Sequence, residues 1–306
     1  MSFSYWALLV LALFLASSLY FHFRGHVRFK LLRQIGDYST LLAPYNAFVC
    51  LLQSVRTRPV HDVAMFPELH LLKDNWQVIR DEARVLLDGG RVRGSERQDD
   101  IVFYSFIKRG WKRFYLKWYQ GFLPSALETC PRTVEILRQL PSVHGAMFAL
   151  LEPHKKLGKH RDPFAGALRY HLGLVTPNSP LCRMHVDDQV YEWHDGEDVL
   201  FDSVYIHKAY NRTEQPRLIL FCDVERPLRG RMARAIGRWV IRHVVPLTVV
   251  PNAPGDRTGL ANRAFAAMQP LRRWIRALKR ASAPVYYTLK FGILIGLLLV
   301  LFLFWR

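Results

Sequence analysis

With 306 residues, half of them apolar, and a formal charge of +18, the chain can build one large domain or two small ones and is too apolar to be disordered. Its four cysteines, Cys50, Cys130, Cys182 and Cys222, lie far apart with no C-x-x-C pair. That excludes a zinc site made from close cysteine pairs and a disulfide-stapled secreted domain, and a reducing compartment is expected.

The N-terminal stretch from Tyr5 to Phe23 carries no Asp, Glu, Lys or Arg. Roughly 20 such residues span a bilayer core as a helix, so residues 5–23 are expected to form a transmembrane helix. No positive charge precedes the stretch and no A-x-A cleavage site follows it, which argues against a signal peptide. Arg24, Arg28, Lys30 and Arg33 come directly after it, placing the following chain on the cytoplasmic side. Residues 24–100 read as a juxtamembrane helical segment. Within it, NWQVIRDEARVLLDGG has apolar residues at helical spacing and a stop at Gly89-Gly90.

From about Val143 to Pro227 the pattern changes to short β-rich runs: GAMFALLEP, ALRYHLGLVTP, CRMHV, QVYEW, DVLFD and RLILFCDV. Asp187-Asp188 and Asp195-Gly196 supply hairpin turns between them. Strands this short and closely spaced predict an α+β fold with a double-stranded β-helix core of the jelly-roll or cupin kind, flanked by helices, with a transmembrane helix at each end.

Several histidines fall in this stretch, and the spacing of some carries chemistry. His160-Arg161-Asp162 is an H-x-D; His207 follows 45 residues after Asp162, and Arg217 ten residues after that. Alternate strand residues face the same way, so His160 and Asp162 can hold one ion. A histidine from another strand completes a two-histidine, one-carboxylate face that leaves positions open on iron(II). Arg217 opens the run RLILFCDV, where a guanidinium can grip a carboxylate with two prongs. Pattern alone therefore points to an oxygenase using iron(II), 2-oxoglutarate and dioxygen, with His160, Asp162 and His207 both catalytic and metal-binding. His171 is the rival ligand to His160, but Gly173, not a carboxylate, lies two residues on. His185 and His194 have no role in the pattern and read as surface residues.

Beyond Pro227 the chain is strongly basic. From Arg226 to Arg280 thirteen Arg or Lys face a single acid, Asp256. Arg231, Arg234, Arg238 and Arg242 share one helical face, and Met232, Ile236, Trp239 and Val240 lie on another. Residues 228–284 thus read as a basic amphipathic segment on an anionic membrane surface. Nucleic acid is the generic partner for such charge, but a tethered chain has no special access to it, so no nucleic-acid partner is expected. Residues 285–305 reach spanning length if Lys290 snorkels, giving a second membrane-inserted helix.

The runs HRDPFAGALRYHLGLVTP and FDSVYIHKAYNRTEQPRLILFCDVERP, with GWKRFYLKWY and LEP upstream, resemble the aspartyl/asparaginyl β-hydroxylase family. They are most similar to its bacterial membrane-bound branch, the lipid A 2-hydroxylases. The resemblance covers about Ile101 to Pro227 and implies an iron(II)/2-oxoglutarate dioxygenase domain over residues 101–227. Iron would sit on His160 and His207. Animal β-hydroxylases have glycine where this chain has Asp162, so a full triad favours the bacterial branch. The resemblance further implies co-substrate contacts from Arg169, His171 and Arg217, and more loosely from Trp111. A serine that the family often places eleven residues before the first histidine is Ala149 here. The implied activity is hydroxylation of a lipid A acyl chain at carbon 2, on the cytoplasmic face of the bacterial inner membrane. A peptide-directed aspartyl/asparaginyl hydroxylase and a non-catalytic membrane scaffold are the alternatives.

Overall fold

The computed structural model describes residues 3–35, 37–92, 100–107 and 109–289, together with residues 292 and 296. The helices are α1 (Phe3–Phe23), α2 (Leu31–Ile35), α3 (Ala43–Leu51), α4 (His70–Asp74), α5 (Trp76–Asp88), α6 (Tyr104–Ile107), α7 (Pro124–Thr129), α8 (Pro131–Arg138), α9 (Arg231–His243), α10 (Leu260–Ala267) and α11 (Gln269–Ala281). The strands are β1 (Val60–His61), β2 (Trp111–Trp118), β3 (Val143–Leu151), β4 (Lys156–His160), β5 (Ala167–Val175), β6 (Cys182–Val186), β7 (Gln189–Glu192), β8 (Asp198–Phe201), β9 (His207–Asn211) and β10 (Arg217–Glu225).

The strands form two antiparallel sheets, one ordered β1-β8-β5-β10-β3-β2 and the other β4-β9-β6-β7. From β3 onward the chain passes repeatedly between them: β3, β5, β8 and β10 lie in the larger sheet, β4, β6, β7 and β9 in the smaller. That alternation is the winding of a jelly roll, in which two half-apolar sheets close on one core. β3, β5 and β10 are buried along nearly their whole length, as the continuous apolar runs require. β6 alternates buried and half-buried residues, matching a strand with one face outward. The β6–β7 turn is made by Asp187-Asp188, with Asp187 at a φ of 54°.

α5 buries Ile79, Ala83 and Leu86, one face of a helix. It ends in a Schellman turn: Gly90 takes a φ of 64°, and the Arg91 N–H returns to the Leu86 carbonyl at 2.8 Å. The core beneath it also takes side chains from Phe66 to Val92, upstream of the expected domain start at 101.

The membrane expectations need correction. Among the described residues no helix is long and apolar enough to cross a membrane. α1 carries exposed leucines along its first turns, but Ser17 and Phe21 are buried against the body of the protein. Arg24, expected to flank a span, is instead buried and paired with Asp202 at 2.8 Å. The C-terminal span expected over 285–305 falls largely outside the described residues. Among the described residues the fold therefore holds no transmembrane helix, and the inner-membrane placement built on those spans is withdrawn.

The segment after α1 straps the smaller sheet. Asp187 accepts hydrogen bonds from the His26 and Val27 N–H groups at 2.9 and 2.6 Å, and Arg33 donates to the Lys159 carbonyl at 2.6 Å. The strongest tie is a fully buried ion triad. Asp202 Oδ1 meets Arg226 Nη2 at 2.6 Å while its Oδ2 meets Arg24 Nη2 at 2.8 Å. Burial opposes ionisation of Asp202, but Arg226 and Arg24 outweigh it and hold the carboxyl at about 2, against 3.8 when free. The stability this contributes, on the order of 2 kcal/mol, is present above the free value and is lost as pH falls toward the folded one. Asp202→Ala strands two buried cations and is expected to destabilise the fold by about 3–5 kcal/mol. Urea unfolding of the variant at neutral pH measures this, and a loss below 1 kcal/mol would show that water reaches the triad.

Candidate active site

β4 and β9 are paired so that His160 and His207 are direct cross-strand neighbours, with ring centroids 4.0 Å apart. Asp162 lies two residues beyond the end of β4, and its N–H donates to the Ser203 carbonyl at 3.0 Å. The triad is thus assembled by strand pairing plus a tethered extension of the chain, not by alternation within one strand.

Backbone carbonyls set the tautomers. His160 Nδ1 lies 2.7 Å from the Gly158 oxygen, and His207 Nδ1 lies 3.0 Å from the Tyr205 oxygen. A carbonyl only accepts, so both Nδ1 atoms carry the hydrogen and both Nε2 atoms keep a free lone pair. Those Nε2 atoms stand 3.8 and 3.9 Å from Asp162 Oδ1. These are too long for hydrogen bonds, but all three ligand atoms fall within 4.8 Å of one another. Burial, then the neighbouring His207, takes His160 down to about 3, and burial also lowers His207. Burial alone would neutralise Asp162, yet Arg169 and the two imidazoles outweigh it and keep the carboxyl below its usual range. Two neutral imidazoles and one carboxylate, oriented from behind by carbonyls, form a donor set that fits a divalent transition metal.

Arg169 and His171 both lie on β5. Arg169 stands against the ligand carboxylate: its Nη2 is 2.9 Å from Asp162 Oδ2 and its Nε 2.9 Å from Asp223 Oδ1. Tyr119 Oη donates to the other Asp223 oxygen at 3.0 Å. The expected co-substrate contact therefore has both faces of its fork engaged, and it positions Asp162. Arg217 differs. It is 2% exposed, lies over the Trp193 ring at 4.3 Å, and its Nε has no hydrogen-bond partner. No carboxylate pairs with it among the described residues, and burial lowers it to about 10. Both ring nitrogens of His171 are likewise buried without partners, with burial and the nearby Arg217 holding the ring neutral.

These groups share one cavity, lined also by Trp111, Phe106, Ala149 and Phe201. Phe106 covers the His160 ring at 4.5 Å. Trp111 packs against Phe103 at 4.7 Å and offers the cavity an apolar wall. His185 and His194 lie outside it. Gly173 is required for packing: a Cβ there would fall 2.0 Å from the His194 carbonyl oxygen.

Asp223, Trp193 and Arg161 are the members that sequence reasoning passed over. Asp223 was detectable, because Arg217, Ile219, Phe221 and Asp223 alternate along β10 and so share a face. Arg161, between the two ligands, points the other way and is buried, donating to Gln34 Oε1 at 2.7 Å and to the Phe21 carbonyl at the end of α1. Its partners are more than a hundred residues away, so no local pattern reveals it.

Comparison with known proteins identifies the family. The family model described as aspartyl/asparaginyl beta-hydroxylase matches residues 73–227. A Rhizobium tropici protein named ornithine lipid ester-linked acyl 2-hydroxylase is 36% identical over 212 residues, covering 67% of this chain and 71% of that protein. Human aspartate beta-hydroxylase domain-containing protein 2 is 30% identical over 126 residues, 38% of this chain and 34% of its own length. A solved Pseudomonas putida prolyl-4-hydroxylase aligns with 50% of this chain and 87% of its own at 18% identity and a TM-score of 0.36. The matched span holds both histidines, the carboxylate beside them, and Arg217, and on it the chain belongs to the aspartyl/asparaginyl β-hydroxylase family of hydroxylases.

Proposed function

We propose that this chain is an iron(II)- and 2-oxoglutarate-dependent hydroxylase that oxidises carbon 2 of a lipid acyl chain. The observation that carries the co-substrate is Arg217. A buried guanidinium without a counter-charge is costly, and a ligand carboxylate supplies the charge it lacks. Bound iron(II), with 2-oxoglutarate and dioxygen, provides the power to break a C–H bond; 2-oxoglutarate leaves as succinate and carbon dioxide, and one oxygen atom becomes the substrate hydroxyl.

The chain's own residues hold and orient. His160, Asp162 and His207 present the metal-binding face. Arg169 keeps Asp162 ionised and fixed, Arg217 takes the far carboxylate, and His171 offers a neutral ring nitrogen beside it. Trp111, Phe106 and Phe201 exclude water. The free volume is small, about 40 Å³, so a dicarboxylate the size of 2-oxoglutarate enters as lining side chains such as Phe106 swing aside.

The acyl substrate is supported by the Rhizobium relative's name and by the surface. α9 turns Ala233, Gly237 and Ile241 inward, the first two small enough to let the helix lie close, and leaves Met232 and Trp239 exposed beside its arginines. Such a face suits a lipid surface. Lipid A is the headgroup implied by the sequence resemblance and ornithine lipid the one named for the relative; the chemistry they share is an acyl chain with a carbonyl next to carbon 2. Mass spectrometry of whole lipids from cells with and without the protein tests this. A 16-dalton gain on an acyl chain, mapped to carbon 2, is the expected result, and the headgroup carrying it identifies the lipid. Unchanged lipids together with new hydroxyaspartate or hydroxyasparagine in protein would overturn the acyl reading.

A further inference from the structure

Asp162 is reached from two sides. Besides the cavity that holds Arg217, a second cavity of about 300 Å³ touches Asp162 and Arg169 and runs outward between Leu42, Tyr45 and Phe164 on one wall and Val240, Val244 and Val245 on the other. That is the lower end of the range for ligand sites, about 300–1,000 Å³.

Its walls carry one unsatisfied polar group away from the metal-binding carboxylate. Tyr45 stacks face to face on Phe164, ring centroids 5.8 Å apart and planes within 7°, and its hydroxyl is buried without a hydrogen-bond partner. The other polar lining atoms are engaged: Tyr119 with Asp223, Arg169 with both carboxylates, and Thr248 with the Val245 carbonyl. Tyr119 also borders an adjoining open cleft lined by Gln120, His144, Arg238, Trp239 and Arg242, together with Glu225, which His144 meets at 2.8 Å. The space is thus apolar outward of its ionic end at Asp162, Arg169 and Asp223, has one spare donor, and lies next to a cleft where two arginines outnumber one carboxylate.

We infer that this second cavity is the acyl-chain channel. The tail lies along Leu42, Val240 and Val244, Tyr45 donates a hydrogen bond to the acyl carbonyl, and an anionic headgroup rests in the cleft of Arg238 and Arg242. Carbon 2 adjoins the carbonyl carbon, so a fixed donor at Tyr45 selects which carbon faces Asp162 and makes Tyr45 a positioning residue. This inference rests on the acyl-hydroxylase reading above.

The experiment uses the full chain loaded with iron(II) and 2-oxoglutarate. Binding of a pyrene-labelled lauroyl ester is followed by fluorescence without dioxygen, and turnover of lauroyl and hexanoyl esters is measured with it. Val244→Trp narrows the outer end at a part-exposed position that tolerates bulk. It is expected to weaken lauroyl binding about tenfold or more while the shorter hexanoyl ester is spared. Val244→Ala is expected to widen the channel and improve esters longer than lauroyl. Tyr45→Phe keeps the ring stack and removes the donor, so hydroxyl should appear at carbon 3 as well as carbon 2. A 2-oxoglutarate titration of each variant shows that the fold is intact. Wild-type turnover of the esters with an unchanged chain-length profile in both Val244 variants and unchanged regiochemistry in Tyr45→Phe would overturn the channel alone. A wild-type protein that consumes 2-oxoglutarate with a peptide and with no ester would overturn the acyl reading, and the channel with it.

Discussion

Replacing His160 or His207 by alanine is expected to abolish iron(II) retention and reduce hydroxylation to background. Each imidazole offers a single free Nε2 lone pair, its Nδ1 hydrogen committed to the carbonyl of Gly158 or Tyr205, and His171, the other histidine lining the cavity, is not grouped closely enough with the triad to share one ion. The rings are buried but modest in size, so the variants should remain folded, and metal analysis after gel filtration separates lost ligation from lost structure. Asp162→Ala is the sharper test, because family members with glycine at this position are implied to work without the carboxylate. Here Asp162 is held by Arg169 at 2.9 Å, and removing it also strips Arg169 of one of two counter-charges. Iron affinity and turnover should both collapse. Near-normal values would show a centre of two histidines only, with Asp162 serving as a partner for Arg169. Arg169→Lys, which cannot span both Asp162 and Asp223 with one planar fork, is expected to cost about 10- to 100-fold in activity, the usual effect of losing a residue that orients a ligand.

Arg217→Ala should raise the 2-oxoglutarate concentration needed for half-maximal turnover by roughly 10- to 100-fold, since a charge-assisted hydrogen bond contributes about 1.5–3 kcal/mol. Arg217→Lys should recover part of the loss, because an ammonium supplies charge without the two-pronged geometry. A second readout separates binding from architecture. Without a ligand, the buried guanidinium has no counter-charge among the described residues, so its removal should leave the melting temperature of the free protein unchanged or higher. A residue that served only packing would lower it. Unchanged 2-oxoglutarate dependence in both variants would remove Arg217 from the site.

The residues of the site were legible to different depths. His160, Asp162, His207 and Arg217 stand out because the proposed iron chemistry demands particular side chains and the jelly roll spaces them characteristically along the chain. Arg169 and His171 were visible as an R-x-H on a strand, yet only the fold separates them: Arg169 is spent on two carboxylates, while His171 faces the cavity with both nitrogens free. Hydropathy misled at the N-terminus. A run of apolar residues reads the same whether its environment is lipid or another helix, and the burial of Ser17 and Phe21 becomes apparent only once α1 lies against the body.

Local order in the sequence determined the parts that depend on near neighbours. The short β runs, the turns at Asp187 and Gly196, the Schellman stop after α5 and the chemical identity of the candidate metal-binding residues all follow from side-chain period, backbone preference and donor type. The tertiary structure alone decided what depends on distance along the chain. It set His160 opposite His207, bound Arg24 to Asp202 across 178 residues, left Arg217 without a counter-charge among the described residues and opened an apolar space between α3 and α9. The reason is that hydrogen-bonded strand registers and buried charges are satisfied by whatever group the fold brings within a few ångströms. Sequence separation does not encode that proximity.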